Sequence, residues 1–126
     1  MRNKFLGTGE PGYHPLRKMR IIASGLRYAV VYDFSVAYKL VASLVALALA
    51  IYYRHWVDLI MIALATALML TAEMFNSALE AICDYLQPRE DYRIKVIKDI
   101  AAAATGVAIL AWAVVMGYEF WTAFVL

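Results

Sequence analysis

The stretch Glu73-Met74-Phe75-Asn76-Ser77-Ala78-Leu79-Glu80-Ala81-Ile82-Cys83-Asp84 decides how the rest of the chain is interpreted. On a helix that turns 100° per residue, its polar side chains fall within an arc of about 100°. These are Glu73, Asn76, Ser77, Glu80 and Asp84. The fourteen residues before the stretch, 59–72, carry no charge. Two carboxylates on one face of an apolar helix are costly in a bilayer, so this face is the candidate functional site.

The composition indicates an integral membrane protein. Of the 126 residues, 64% are hydrophobic and 17% are charged, whereas soluble domains have about 45–50% and about 25%. Residues 40–53 and 100–118 contain no charge, and residues 59–83 contain only Glu73 and Glu80. Because a membrane span needs about 20 apolar residues, the sequence predicts an all-α membrane protein with three transmembrane helices.

The chain divides into a tail and one membrane-embedded domain. Residues 1–15, rich in Gly and Pro, are predicted to form a flexible tail, and residues 16–126 a single domain. Within that domain we expect a basic amphipathic surface helix at 16–33 and spans at 34–53, 57–86 and 98–120. Lys39 is expected to snorkel from the first span toward water. Cys83, the single cysteine, excludes an internal disulfide and is expected to be a packing residue.

The basic residues predict the orientation of the spans. Seven of the twelve lie between Arg2 and Lys39, four lie between Arg89 and Lys98, and Arg54 alone lies in the first loop. By the positive-inside rule the N-terminus is cytoplasmic and the C-terminus is outside. One cytoplasmic boundary then holds Asp33, Glu80, Asp84, Lys98 and Asp99. Glu73 lies about 10 Å deeper, from the helical rise of seven residues.

These side chains are the kind that phosphoryl transfer needs. Mg²⁺ binds one or two carboxylates together with substrate phosphates, and Glu80 and Asp33 are candidates for those ligands. Lys98 is suited to neutralising phosphate charge, and Glu73 to acting as a general base on a lipid hydroxyl. From the residues alone, however, ion or proton transport and interhelical hydrogen bonding remain open. The clustering of the acids at one membrane face favours lipid chemistry.

The motif resembles one particular family. The stretch from Ala72 to Asp84, followed by Lys98-Asp99 and the alanines at 101–104, resembles the bacterial diacylglycerol kinase / undecaprenol kinase family. Its pattern is E-x-x-N-[ST]-A-[IL]-E-x-x-x-D, a loop, and then K-D-x-x-[AS]-A. Gly25-Leu26-Arg27 with Asp33 is similar to its surface-helix segment, and the resemblance spans about residues 16–121.

The resemblance implies a small kinase of the bacterial inner membrane. It would transfer the γ-phosphate of MgATP to a membrane lipid alcohol, most simply diacylglycerol, with undecaprenol as the alternative acceptor. Homotrimers with sites shared between neighbouring chains are implied, and no nucleic-acid partner. The implied roles fall on Glu73 as catalytic base, on Asp33 and Glu80 as metal ligands, and on Asp33, Asn76, Glu80, Lys98 and Asp99 as nucleotide-binding residues.

Two features depart from the family pattern. Asp33 stands where the family usually has Glu, which moves its carboxylate by about one bond length. The loop before the K-D pair commonly carries a His, whereas this chain has Asp91 in that region. For Asp84 two interpretations are open, a catalytic role or a pairing with Lys98 at the helix end.

Overall fold

The part of the chain that the structure describes is built from four helices. The computed structural model describes residues 12, 14–53 and 55–125, and the predicted tail at 1–15 lies almost wholly outside them. The helices are α1 (Pro15–Tyr32), α2 (Phe34–Tyr52), α3 (Trp56–Leu86) and α4 (Tyr92–Phe124). The predicted all-α class with three apolar spans is confirmed, since α2, α3 and α4 are each long and apolar enough to cross a membrane.

Residues 1–33 and 34–126 form two separate units, and the first contains α1. Pro15 begins this helix, where a missing backbone N–H is tolerated. The helix stops at Asp33, whose backbone is extended. None of its residues is buried, and its exposed side chains include Leu16 and Ile22. Contact of this helix with a membrane surface stays a prediction, as does the assignment of residues 16–126 to one domain.

In the second unit, α3 packs against both α2 and α4. Its buried residues recur at intervals of three or four, which places them on one side of the helix. They are Ile62, Ala65, Thr66, Met69 and Glu73, and Cys83 is buried further along the helix, as expected for a packing residue. Val36, Lys39 and Ser43 are the corresponding buried positions of α2. Large apolar side chains elsewhere on the three helices are exposed, as expected where lipid and not water is the solvent.

Two hydroxyl groups link the helices through hydrogen bonds. Trp112 on α4 donates from Nε1 to Ser43 Oγ over 2.8 Å, and Ser43 donates to the backbone carbonyl of Lys39, also over 2.8 Å. Thr105 on α4 donates to the carbonyls of Ala72 and Ala101 at 3.3 and 3.0 Å. Such polar contacts, worth roughly 0.6–2 kcal/mol each in membranes, fix the register of helices whose apolar surfaces are interchangeable.

The fourth helix begins at Tyr92, well before the predicted start near Lys98. The cause is Asp91, which caps the helix: its side chain accepts a hydrogen bond from the backbone N–H of Arg93 at 2.8 Å. Its carboxylate also pairs with the Arg93 guanidinium at 3.1 Å. Residues 92–95, which include Arg93 and Lys95 and precede the span predicted at 98–120, therefore form the first turn of α4. Lys98 and Asp99 lie on a regular helix as a result.

The cap should be sensitive to acid. Hydrogen bonds from Arg93 hold the pKa of the Asp91 carboxyl below its ordinary value of 3.8. A lowered pKa in the folded state gives a stabilisation that is complete above the unfolded value and lost as the pH falls through the folded one. Amide hydrogen exchange at the start of α4, corrected for intrinsic rates, should therefore accelerate below about pH 4. In Asp91→Ala it should be fast already at neutral pH, and equal protection in both proteins would contradict this cap.

Candidate active site

The buried stripe of α3 becomes polar toward the end of the helix. Its apolar part ends at Met69, which is fully buried, and the next positions at the same spacing are Glu73, Asn76 and Glu80. Glu73 is buried with 6% exposure, Asn76 is half-buried and Glu80 is exposed. The polar arc predicted from the sequence thus continues the helix-packing side of α3. It leads from the dry interior to an accessible surface.

Glu73 forms an ion pair with Lys39 of α2. Lys39 Nζ lies 2.6 Å from Glu73 Oε1, and the two side chains are 4% and 8% exposed. The expectation that Lys39 snorkels to water is therefore wrong. A carboxylate without a partner is very costly in an apolar interior. The attraction between Glu73 and Lys39 therefore holds the lysine side chain inside the bundle, where it neutralises that charge.

The ammonium group of Lys39 has further partners on its own helix. It donates to Ser35 Oγ over 2.5 Å, and it lies 5.3 Å from the centre of the Tyr38 ring. An ammonium has three donors, and Glu73 and Ser35 occupy two of them. The ring face adds a cation–π attraction. Lys39 is thus held in one place at the contact between α2 and α3.

The next turn of α3 carries oxygen atoms of the kind that bind hard cations. Asn76 Nδ2 donates to Glu80 Oε1 at 3.3 Å, while Asn76 Oδ1 is buried and accepts no hydrogen bond. A buried carbonyl oxygen without a donor, next to an exposed carboxylate, matches the hard oxygen ligands that Mg²⁺ prefers. Among the described residues no group of three or more His, Cys, Asp or Glu side chains is arranged to hold a metal ion.

The first turns of α4 bring two lysines to the same end of the bundle. Lys98 Nζ forms a short ion pair with Asp84 Oδ1, and the charge of Glu80 also acts on it. Lys95 Nζ lies 2.6 Å from Asp99 Oδ2, one turn along the helix. Of the two interpretations of Asp84, the structure favours the pairing with Lys98.

The structure thus brings the candidate residues of α3 and α4 together in part. Asn76, Glu80 and Lys98 lie around one end of the contact between α3 and α4, with Asp99 beside them. Glu73 lies deeper, on the contact with α2. Asp33 is the last residue of the other unit, and its place in the site stays a prediction.

Comparison with known proteins identifies the family. The model of the prokaryotic diacylglycerol kinase family matches residues 21–120, most of the chain. The protein belongs to this family. The family's activity is ATP-dependent phosphorylation of lipids, so the protein is a multi-pass membrane kinase that transfers phosphate to an alcohol, and ion transport is no longer needed to explain the buried carboxylate. No curated protein and no solved structure gave a significant match.

Two lysines pair with candidate site residues in the structure but were not assigned from the sequence, Lys95 with Asp99 and Lys39 with Glu73. Lys95 had a detectable signal, because Lys95 and Asp99 are four residues apart and would pair on any helix that extends over both. The sequence signal for Lys39 was weaker, because a lone cation in an apolar stretch is as compatible with snorkelling as with a buried ion pair. Only the packing of α2 on α3 distinguishes these two placements of the side chain.

Proposed function

We propose that the protein phosphorylates diacylglycerol, with MgATP as phosphate donor and phosphatidic acid as product. The observation that carries the proposal is the polar stripe of α3, which joins a buried carboxylate, Glu73, to an accessible one, Glu80, about two turns away. A lipid alcohol and a nucleotide reach a membrane protein from different solvents. A site that links the membrane interior to the aqueous surface can receive both.

The residues at the accessible end are suited to the nucleotide. Asn76 Oδ1 and the Glu80 carboxylate would hold the magnesium ion, with Asp33 as the second carboxylate implied by the family resemblance. When bound, the ion neutralises charge on the transferring phosphate. Lys98 adds a cation for the phosphates, and Asp84 orients its ammonium group. Asp99, held by Lys95, completes the nucleotide-binding set.

The buried end is suited to the acceptor. Glu73 takes the proton from the lipid hydroxyl as that oxygen forms its bond to the γ-phosphorus, and ADP leaves with the bridging oxygen. Glu73 is 6% exposed and lies at the contact between α2 and α3. A buried site of that kind excludes the water that would otherwise compete as acceptor.

The assembly and location that we propose follow the family resemblance. The exposed Glu80, on the helix-packing side of α3, is accessible to a neighbouring chain of a homotrimer, which would complete each site. We place the protein in the bacterial inner membrane, with its N-terminus in the cytoplasm where ATP is available. Undecaprenol remains the alternative acceptor, because the motif residues would handle MgATP and do not distinguish one lipid alcohol from another.

The acceptor can be determined with the purified protein. In mixed micelles with MgATP labelled at the γ-phosphate, we expect label in phosphatidic acid when diacylglycerol is present, and less in undecaprenyl phosphate when undecaprenol is present. Stronger labelling of undecaprenol would reassign the substrate, and no labelled lipid from either would overturn the kinase proposal.

The role of Glu73 predicts a loss confined to the chemical step. Glu73→Gln removes the basic oxygen but keeps the side-chain volume. Turnover should fall by a factor of about 10²–10⁴, while binding of MgATP, followed with a fluorescent nucleotide analogue, stays within a few-fold. A near-normal rate in this variant would exclude Glu73 as the base.

The metal ligands predict a change in magnesium dependence. In Glu80→Gln and in Asp33→Asn, the Mg²⁺ concentration that gives half-maximal activity should rise about ten-fold or more. Each change removes a charged oxygen from a site with few protein ligands. Glu90→Gln, in the loop between α3 and α4, is a charge-matched control. An unchanged titration for Asp33→Asn would remove Asp33 from the site and leave Glu80 as the tested ligand.

A further inference from the structure

The ion pair between α2 and α3 places a buried cation in direct contact with the proposed base. Lys39 Nζ is 2.6 Å from Glu73 Oε1, and each residue is at least nine-tenths buried. The described contacts of the Glu73 carboxylate involve Oε1 alone. Its second oxygen, Oε2, makes none of the hydrogen bonds found among the described residues. One oxygen is therefore bound by the lysine and the other is available.

A general base must hold its accepting oxygen within hydrogen-bond reach of the proton that it takes. The contact with Lys39 fixes the rotation of the Glu73 carboxylate, because a short charge-assisted hydrogen bond is directional. A buried carboxylate also needs an opposite charge beside it.

We infer that Lys39 is a positioning residue of the lipid kinase reaction: it binds Oε1 of the buried Glu73 carboxylate, so that Oε2 faces the lipid hydroxyl. This inference rests on the proposed role of Glu73 as the base. In the reaction the O–H bond of the lipid breaks, and its proton moves to Oε2. The lipid oxygen forms a bond to the γ-phosphorus as the bond from that phosphorus to the bridging oxygen breaks, and ADP leaves.

The position of Lys39 is itself built into the bundle. Its backbone carbonyl accepts a hydrogen bond from Ser43, which is fully buried and in turn accepts one from Trp112 on α4. Its ammonium group is held by Ser35 one turn earlier. All three helices of the second unit thus contribute to placing one ammonium group against one carboxylate oxygen. A contact that served only to join α2 to α3 would not require the fourth helix.

The test compares three substitutions of Lys39 in the full-length protein, assayed in mixed micelles with diacylglycerol and MgATP. Lys39→Met removes the charge and keeps the length, Lys39→Gln keeps a hydrogen-bond donor without charge, and Lys39→Arg keeps both. We expect kcat to fall about 100-fold in the Met and Gln variants, within the range of general-base effects. KM for MgATP should stay within about three-fold, and Lys39→Arg should retain at least about one-tenth of kcat.

A double-mutant cycle separates a role through Glu73 from general damage to the fold. In a Glu73→Gln background the carboxylate is absent, so adding Lys39→Gln should change the residual kcat by less than about three-fold. Thr105→Ala is the structural control, because it removes the hydrogen bond from Thr105 to the Ala72 carbonyl between α4 and α3 and leaves the ion pair intact. It should lower the unfolding temperature in detergent with less than about three-fold loss of kcat.

Each outcome either supports or overturns the inference. Near-normal kcat in Lys39→Gln, or the same loss of kcat from Lys39→Gln with and without Glu73, would overturn it. So would a loss in Lys39→Arg as large as that in Lys39→Met. If Glu73→Gln itself remained active, the proposed base would fail, and with it this role of Lys39. If Lys39→Met does not fold, the double-mutant cycle of Lys39→Gln with Glu73→Gln tests the inference instead.

Discussion

Burial of the Glu73 carboxylate between two membrane-spanning helices is the constraint on which the rest of the structure depends. An unpaired charge in such a place would be strongly destabilising, so the chain must supply a cation from a neighbouring helix. Lys39 does so at 2.6 Å. That requirement fixes the rotation and height of α2 against α3 more strictly than the exchangeable apolar contacts around it. The hydrogen bond between Trp112 and Ser43 then fixes the position of α4 relative to α2.

The polar stripe of α3 follows a gradient from dry to wet. Met69 is fully buried, Glu73 is buried and paired, Asn76 is half-buried with an unsatisfied oxygen, and Glu80 is exposed. In the proposed reaction, burial keeps the proton acceptor Glu73 from water, and exposure leaves the proposed metal ligand Glu80 open to it. One helix face can therefore serve a lipid and a nucleotide together.

Much of the fold could be predicted because apolar length is a strong signal in membranes. Spans predicted at 34–53 and 57–86 correspond to helices at Phe34–Tyr52 and Trp56–Leu86. The fourth helix starts before the span predicted at 98–120, because Asp91 caps it at Tyr92. Charge near the end of a span does not distinguish a loop from a first turn beyond the bilayer. A helix cap is a local hydrogen bond, and hydropathy averaged over a window of residues does not detect it.

By itself the sequence determined the three spans, the polar face of α3 and the family motif, since these depend on composition and on helical periodicity within single segments. Tertiary structure alone decided which charges meet. Asp84 pairs with Lys98, and Glu73 pairs with a lysine thirty-four positions away. The physical reason is that an ion pair between helices depends on their relative rotation and height. Those are set by the packing of whole side-chain surfaces, which no single segment specifies.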